Sequence, residues 1–184
     1  MIVEDTALDG VKIITPKKFG DERGFFSETY TQSKWDAAGL PFRFVQDNHS
    51  LSAAIGVIRG LHFQSAPFAQ DKLIRVLRGR ILDVAVDIRR SSKTFGKHVA
   101  LELSSDNWRQ LLVPIGFAHG FCTLEPNTEV FYKVTNYYSP QNDRGLAFDD
   151  PDLGIEWPFP ISDVQANARD RSWPRLRDLV DMFE

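Results

Sequence analysis

Residues 72–88 read KLIRVLRGRILDVAVDI, two apolar runs separated by a single glycine. The runs 72–77 and 81–88 are rich in Val and Ile, a composition typical of buried strands. The connection between them is short and centred on Gly79, as a tight turn between antiparallel strands requires. The stretch therefore predicts a β-hairpin.

The same strand pattern recurs along the whole chain, with turn residues between the runs. Eight further segments show it: 11–15, 24–30, 42–51, 57–64, 98–103, 111–113, 120–124 and 129–138. Short strands at this spacing predict a sandwich or a barrel. Helical signal is sparse and is confined to 31–38, with Thr31 as N-cap and Gly39 just past the end, and to a terminal helix over 174–183. The predicted fold class is all-β with short peripheral helices.

Length and charge narrow the organisation and the partners. The 184 residues suit one domain, 1–184, and 42% of them are hydrophobic, enough for a substantial core. A net charge of -3 gives no global field that would attract nucleic acid or an anionic membrane, so an anionic partner must be bound locally. The start of the chain lacks a signal-peptide pattern, and no segment approaches the roughly 18 apolar residues of a membrane helix. We therefore expect a cytoplasmic protein.

A small set of polar residues in apolar strands suggests chemistry. His62 lies inside one strand and Lys72 opens the next, although a single histidine in a strand is more often structural. Period 2 along 129–138 puts Tyr132 and Tyr138 on one face, which core packing of tyrosines would also explain. His119 stands in an apolar context and needs a buried partner.

Strand alternation raises a geometric question about 57–64. Strict alternation sends Arg59 and His62 to opposite faces of the strand. If both line one site, the intervening Gly60 must sit in a bulge or kink.

Long sequence blocks resemble the dTDP-4-dehydrorhamnose 3,5-epimerase family, cupin-fold enzymes of the dTDP-L-rhamnose pathway. The blocks cover nearly the whole chain: DERGFFSE at 21–28, QDNHS at 46–50, RGLHFQ at 59–64, DVAVDIR at 83–89, PIGFAHGF at 114–121, Tyr132-Lys133 and DDPDLGIEWP at 149–158. The resemblance implies a cupin-type jelly roll. It also implies epimerisation at C3 and C5 of dTDP-4-keto-6-deoxy-D-glucose to dTDP-4-keto-L-rhamnose, no cofactor, no metal, and a homodimer that exchanges strands.

The resemblance also assigns roles to individual residues. It implies that His62 is the base, that Asp170 orients it, and that Tyr132 supplies the proton on the opposite face. Lys72 would face the enolate oxygen. The remaining residues would bind the substrate: Arg23 and Arg59 at the diphosphate, Tyr138 against the thymine, and Phe26, Glu28, Gln46, Asn48, His119, Asp143 and Arg169 around the nucleotide and sugar.

Two of these positions depart from the commonest family pattern. Asp143 replaces a longer glutamate, and Arg169 replaces a lysine. Both changes keep the charge, but they alter the reach and shape of the side chain.

Three alternatives to a 3,5-epimerase differ in the residues they need. A metal-dependent cupin needs a second histidine two residues after His62, where Gln64 stands, and related sugar ketoisomerases carry a further histidine directly after this motif. A non-catalytic sugar-nucleotide binder would not need His62, Asp170 and Tyr132 together. An epimerase acting at C3 or C5 alone shares almost every residue, and the sequence does not exclude it.

Overall fold

The computed structural model describes residues 1–180 and 183–184. It is built from short antiparallel strands, as the sequence predicts. In chain order the strands are β1 Ile2–Asp5, β2 Lys12–Thr15, β3 Phe19–Asp21, β4 Gly24–Phe26, β5 Gln46–Ser52, β6 Ile58–Gln64, β7 Lys72–Arg78, β8 Arg80–Asp87, β9 His98–Ser104, β10 Gln110–Val113, β11 Phe117–Thr123, β12 Thr128–Val134 and β13 Asp143–Gly145.

Two sheets face each other across the core. One has the strand order β1-β2-β10-β7-β12-β5, and the other has the order β13-β6-β11-β8-β9. Buried apolar side chains from both sheets form one cluster, which includes Ile74, Leu111 and Val130 from the first and Ile81, Leu103 and Phe121 from the second. The inner faces of the two sheets therefore form a sandwich with a shared interior.

The predicted hairpin over 72–88 is wrong. β7 pairs with β10 and β12, whereas β8 pairs with β11 and β9, so the two strands lie in different sheets. Gly79 joins them with a φ of +77°, and a Cβ there would lie 2.5 Å from the Thr128 hydroxyl oxygen. The glycine thus marks a sharp turn of the chain, as predicted, but that turn crosses from one sheet to the other.

The helices match the prediction at one end of the chain only. The helix α1, Gln32–Ala37, follows Thr31 and ends before Gly39, and it buries Trp35 against the outside of the six-stranded sheet. The terminal helix over 174–183 is wrong within the described residues: the chain forms a single 3-10 turn, Leu176–Asp178, and 181–182 lie outside the description. The backbone N–H of Leu176 donates to Asp150 at 2.7 Å, which ties this segment to the body of the domain.

The N-terminal arm, which we define as residues 19–28, projects from the sandwich. The prediction of one strand over 24–30 is wrong here, because β3 and β4 form a separate two-stranded hairpin that ends at Phe26. Its aromatic side chains Phe19, Phe25 and Phe26 are exposed. No helix of the described residues is long and apolar enough to span a membrane.

Candidate active site

A cleft opens between the two sheets and is lined mainly by polar side chains. Two adjoining cavities share His62, Lys72, Tyr132 and Arg169, and we call the combined space the cup. Its other lining residues include Arg59, His119, Asp170, Gln46, Asn48, Tyr138 and Asp143. Eleven of the fourteen site residues expected from the sequence therefore line the cup.

His62 and Asp170 form a hydrogen-bonded pair in the cup. His62 Nε2 lies 2.7 Å from Asp170 Oδ1, and the carboxylate is almost completely buried. Burial acts to raise the pKa of Asp170, but the hydrogen bond and charge of His62 and the N–H of Gly60 outweigh it and hold that pKa below its usual value. A buried carboxylate of this kind fixes the ring orientation and the tautomer of the imidazole.

A bulge at Gly60 allows Arg59 and His62 to line the same cup, which confirms the sequence expectation. The pairing of β6 with β11 shifts register between His119 and Phe121, opposite this glycine. Gly60 has a φ of +132°, and a Cβ would lie 2.6 Å from the Cα of Gly120. Only glycine fits this close approach without displacing the neighbouring backbone.

Tyr132 enters the cup from the other sheet. It lies on β12 between the buried residues Val130 and Val134, so its side chain points inward as the alternation predicts. Burial raises the pKa of the Tyr132 phenol, and Arg59 partly opposes this shift. The phenol therefore keeps its proton at neutral pH and is available as an acid.

Lys72 is a buried cation at the start of β7. Its Nζ donates to the backbone carbonyl of His62 at 3.0 Å. Burial lowers its pKa to about 8, while the charges of Asp143 and Asp83 favour the protonated form. At neutral pH most of the Lys72 population remains charged within the cup.

A second imidazole–carboxylate pair lies beside the first. His119 is the cross-strand partner of His62, and its Nε2 is 2.8 Å from Asp83 Oδ1. Asp83 is fully buried, and its other oxygen has no hydrogen-bond partner among the described residues. This pair supplies the partner that the sequence demanded for His119. Sequence reasoning did not select Asp83, although an isolated acid inside the apolar run 81–88 was a usable signal.

Tyr138 reaches the cup from a turn, not from the strand that carries Tyr132. β12 ends at Val134, so the predicted continuous strand to 138 is wrong. The backbone N–H of Tyr138 donates to the Gln46 side chain at 3.1 Å, and its hydroxyl donates to Asp143 at 3.1 Å. Gln46 also donates to Asn48 at 2.9 Å, which links these two residues at the mouth.

The two departures from the family pattern contact each other. Arg169 Nη1 lies 2.6 Å from Asp143 Oδ2, and the Arg169 guanidinium lies 5.5 Å from the centre of the Trp173 ring. Although burial acts to lower the pKa of Arg169, the hydrogen bond to Tyr138 and the charge of Asp143 raise it overall. The longer planar arginine thus meets the shorter carboxylate.

Three expected site residues lie away from the cup. Arg23 pairs with Asp21 at 2.5 Å on the exposed arm, Glu28 pairs with Lys34, and Phe26 is exposed. Within one chain the arm does not reach the cup, and the structure does not bring these side chains to His62.

Gln64 occupies the position where a metal-dependent cupin would carry its second histidine. Its side-chain amide donates to the carbonyls of Phe68 and Tyr137 at 2.6 and 3.1 Å, and its oxygen accepts the N–H of Ser139 at 2.7 Å. Across residues 1–180 and 183–184 there is no group of three His, Cys, Asp or Glu side chains placed to hold a metal ion. The donor set of the cup therefore does not fit the metal-cupin pattern.

Comparisons with known proteins agree over the full chain. The family model described as dTDP-4-dehydrorhamnose 3,5-epimerase matches residues 5–178. A dTDP-4-dehydrorhamnose 3,5-epimerase of Sinorhizobium fredii is 50% identical over 184 residues, which are 100% of this chain and 94% of that protein.

Solved structures give the same result. A dTDP-4-dehydrorhamnose 3,5-epimerase from Bacillus anthracis with TDP and PPi bound is 49% identical with a TM-score of 0.91, over 95% of this chain and 98% of that one. A dTDP-6-deoxy-D-glucose-3,5-epimerase from Legionella pneumophila in complex with dTDP-4-keto-L-rhamnose is 44% identical with a TM-score of 0.92, over 97% and 94% of the two chains. The similarity thus extends to the whole fold and not to single motifs.

Proposed function

Since the chain belongs to the dTDP-4-dehydrorhamnose 3,5-epimerase family, and is a cupin-fold isomerase of dTDP-rhamnose biosynthesis with that activity, we propose how its residues divide the chemistry. His62 removes the proton next to the C4 ketone, Lys72 stabilises the enolate, and Tyr132 delivers a proton to the opposite face. The observation that carries this proposal is that His62 and Tyr132 line one cup from opposite sheets. Inversion at carbon requires such a pair, because the proton that leaves and the proton that arrives are on opposite faces of the carbon.

The energetics explain why a base alone is insufficient. A proton next to a ketone has a pKa of roughly 19 against about 6.5 for histidine, so unaided transfer is uphill by ~17 kcal/mol. A fixed cation near the developing oxyanion contributes about 3 to 4 kcal/mol in a site with little water. Lys72 is suited to this role because it is buried, charged at neutral pH and anchored beside His62.

Asp170 acts through His62 in this scheme. It accepts the hydrogen bond from His62 Nε2, leaving the other ring nitrogen to work on the substrate. As the imidazole gains a proton it becomes a cation, and the neighbouring carboxylate stabilises that charge. Asp170 is therefore a positioning residue that also favours the protonated base.

The remaining cup residues are proposed to hold the sugar nucleotide. Arg59 presents a guanidinium fork suited to the diphosphate, and His119 approaches the sugar. Tyr138 exposes about half of its surface at the mouth, which suits it to stack on the thymine. Gln46, Asn48, Asp143 and Arg169 complete this mouth.

A homodimer forms part of the same proposal. Arg23, Phe26 and Glu28 do not reach the cup of their own chain, and the arm that carries them exposes three phenylalanines. All four residues of strand β1, at the edge of its sheet, are also exposed. Edge strands and apolar side chains of this kind need covering. We propose that the arm crosses to a second copy of the chain and completes its cup. The cytoplasmic location stays a prediction.

One experiment tests both carbons at once. The enzyme is incubated with dTDP-4-keto-6-deoxy-D-glucose in deuterium oxide, and NMR follows deuterium at C3 and C5. We expect both positions to exchange and the L-configured product to form, with the same rates in the presence of EDTA. Exchange at one carbon alone would identify an epimerase of narrower scope, and loss of activity to EDTA that a divalent ion restores would identify a metal site.

A further inference from the structure

Gln64 is buried and is one of the side chains that hold the segment around Tyr138. Its three hydrogen bonds use both amide protons and the amide oxygen, and two of them reach the carbonyl of Tyr137 and the N–H of Ser139. These are the two residues that flank Tyr138. Gln64 is 3% exposed, so water does not readily replace a lost hydrogen-bond partner, and the loss costs stability.

Tyr138 depends on such support because no strand holds it. It lies beyond the end of β12, and its ring is half exposed. Its own polar contacts, all at the mouth, include its backbone N–H to Gln46, its hydroxyl to Asp143 and a side-chain hydrogen bond with Arg169. Asp143 is in turn the cross-strand partner of Gln64 in the pairing of β13 with β6. Gln64 on β6 therefore bonds to the backbone on both sides of Tyr138. It also pairs across the strands with Asp143, which is one partner of the Tyr138 hydroxyl.

We propose that Gln64 is a positioning residue for the nucleobase of the nucleoside diphosphate sugar, acting through Tyr138. The inference rests on the proposed stacking role of Tyr138. Gln64 follows His62 by two residues, so β6 holds the base of the reaction and, through Gln64, the platform for the nucleobase. One rigid strand then fixes the span between the reacting carbon and the base, which selects substrates with a diphosphate spacer.

The role predicts a separation of binding from chemistry. In Gln64→Ala we expect the Kd for dTDP and the KM for the sugar nucleotide to rise about tenfold, as loss of well-formed buried hydrogen bonds implies. The kcat and the deuterium exchange at saturating substrate should stay within about twofold, because His62 is held by Asp170 and not by Gln64. Gln64→Met, which keeps the side-chain volume and removes all three bonds, should behave alike and protects the test if the alanine variant folds poorly.

A matched control separates this role from general loss of stability. Thr123 is fully buried, and its hydroxyl bonds to the backbone of Ala54 and Val57, both at 2.9 Å, in a loop that does not line the cup. Thr123→Val removes two buried side-chain bonds to a loop, as Gln64→Ala removes three. It should lower the Tm without changing the Kd for dTDP.

A double-mutant cycle with Tyr138→Ala decides the route, with dTDP affinity measured by isothermal titration calorimetry. Tyr138→Ala alone should weaken dTDP binding, and adding Gln64→Ala should weaken it less than twofold further. An undiminished tenfold loss in the Tyr138→Ala background would overturn the inference and leave the stacking role intact. A fall in kcat with unchanged dTDP affinity would overturn it as well. If Tyr138→Ala leaves dTDP affinity unchanged, the stacking role is wrong and the inference falls with it.

Discussion

The cup holds the hydrogen-bonded His62–Asp170 pair and the N-terminal arm holds the Arg23–Asp21 ion pair, in opposite surroundings. In the cup, His62 meets an Asp170 carboxylate that is 1% exposed, whereas on the arm the Arg23 and Asp21 side chains are 85% and 51% exposed. A buried pair holds its geometry because either partner alone would be costly to bury. An exposed pair contributes little and is easily exchanged for another anion. The buried pair thus holds His62 in place for proton transfer, whereas Arg23 on the arm stays accessible to a different anion.

Removal of the base should have the largest effect. We expect His62→Ala to abolish deuterium exchange at C3 and C5, because it removes the group proposed to take the proton from both carbons. Affinity for dTDP should change little, since the nucleotide is held at the mouth. NMR exchange and calorimetry on the same preparation measure both. Exchange persisting near the wild-type rate at either carbon would show that a second base works, with His119 the first candidate.

Removing the Tyr132 hydroxyl should separate the rate of deuterium exchange from the rate of epimerisation. In Tyr132→Phe the enolate still forms, and solvent deuterium returns from His62 with retention. Net inversion should fall by about 10² to 10⁴, the usual contribution of a positioned acid. Deuterium uptake is measured beside epimer formation. If the two rates fall in parallel, Tyr132 is a packing residue and the acid must be sought elsewhere.

The buried cation should set the alkaline limit of activity. The pKa of Lys72 is about 8 because burial disfavours its charge, so the cationic form is lost as pH rises through that value. We expect kcat/KM to fall about tenfold per pH unit above this limit. The raised pKa of Tyr132 keeps the phenol protonated over the same range. Lys72→Arg should move this fall in kcat/KM to higher pH. If the fall stays at the same pH, it is caused by the titration of another group.

A mixing experiment tests whether the arm works across subunits, and it has the smallest expected signal. Arg23→Ala and His62→Ala should each be impaired alone. If the arm crosses to a partner, a hybrid dimer contains one cup with an intact base and an intact arm. Random assortment then restores about a quarter of the wild-type activity. If each arm serves its own chain, no cup in the hybrid is complete and the mixture stays at the level of its parents.

Sequence patterns predicted the part of the cup around Gly60 and Tyr132 better than the mouth around Tyr138. The inward face of Tyr132 and the bulge at Gly60 follow from alternation within single strands, which is a local property. The failed hairpin at Gly79 shows the limit: turn chemistry reveals that the chain turns sharply, but not which strand becomes the neighbour. Tyr138 was placed on a strand because tyrosines continue past Val134, but there the backbone leaves the sheet and its N–H groups at 138 and 139 donate to the side-chain oxygens of Gln46 and Gln64.

The arm lay beyond prediction for a different reason. Arg23 and Glu28 occur in a block that resembles the family, yet within one chain they pair with Asp21 and Lys34 instead of lining the cup. Asp83 was overlooked because its partner His119 is 36 residues away in the chain, so no local pattern pairs the two. Pairings of this kind are decided by the three-dimensional fold.

The crossing at Gly79 also bears on how the protein folds and unfolds. β6, β7 and β8 follow one another in the chain but alternate between the two sheets, so each must find partners far away in sequence. Such long-range pairing makes folding slow, on the order of milliseconds to seconds. The crossings also connect the two sheets covalently, because neither sheet can separate without displacing a strand of the other. The two sheets should therefore open as one cooperative unit in hydrogen exchange, with the arm opening earlier and independently.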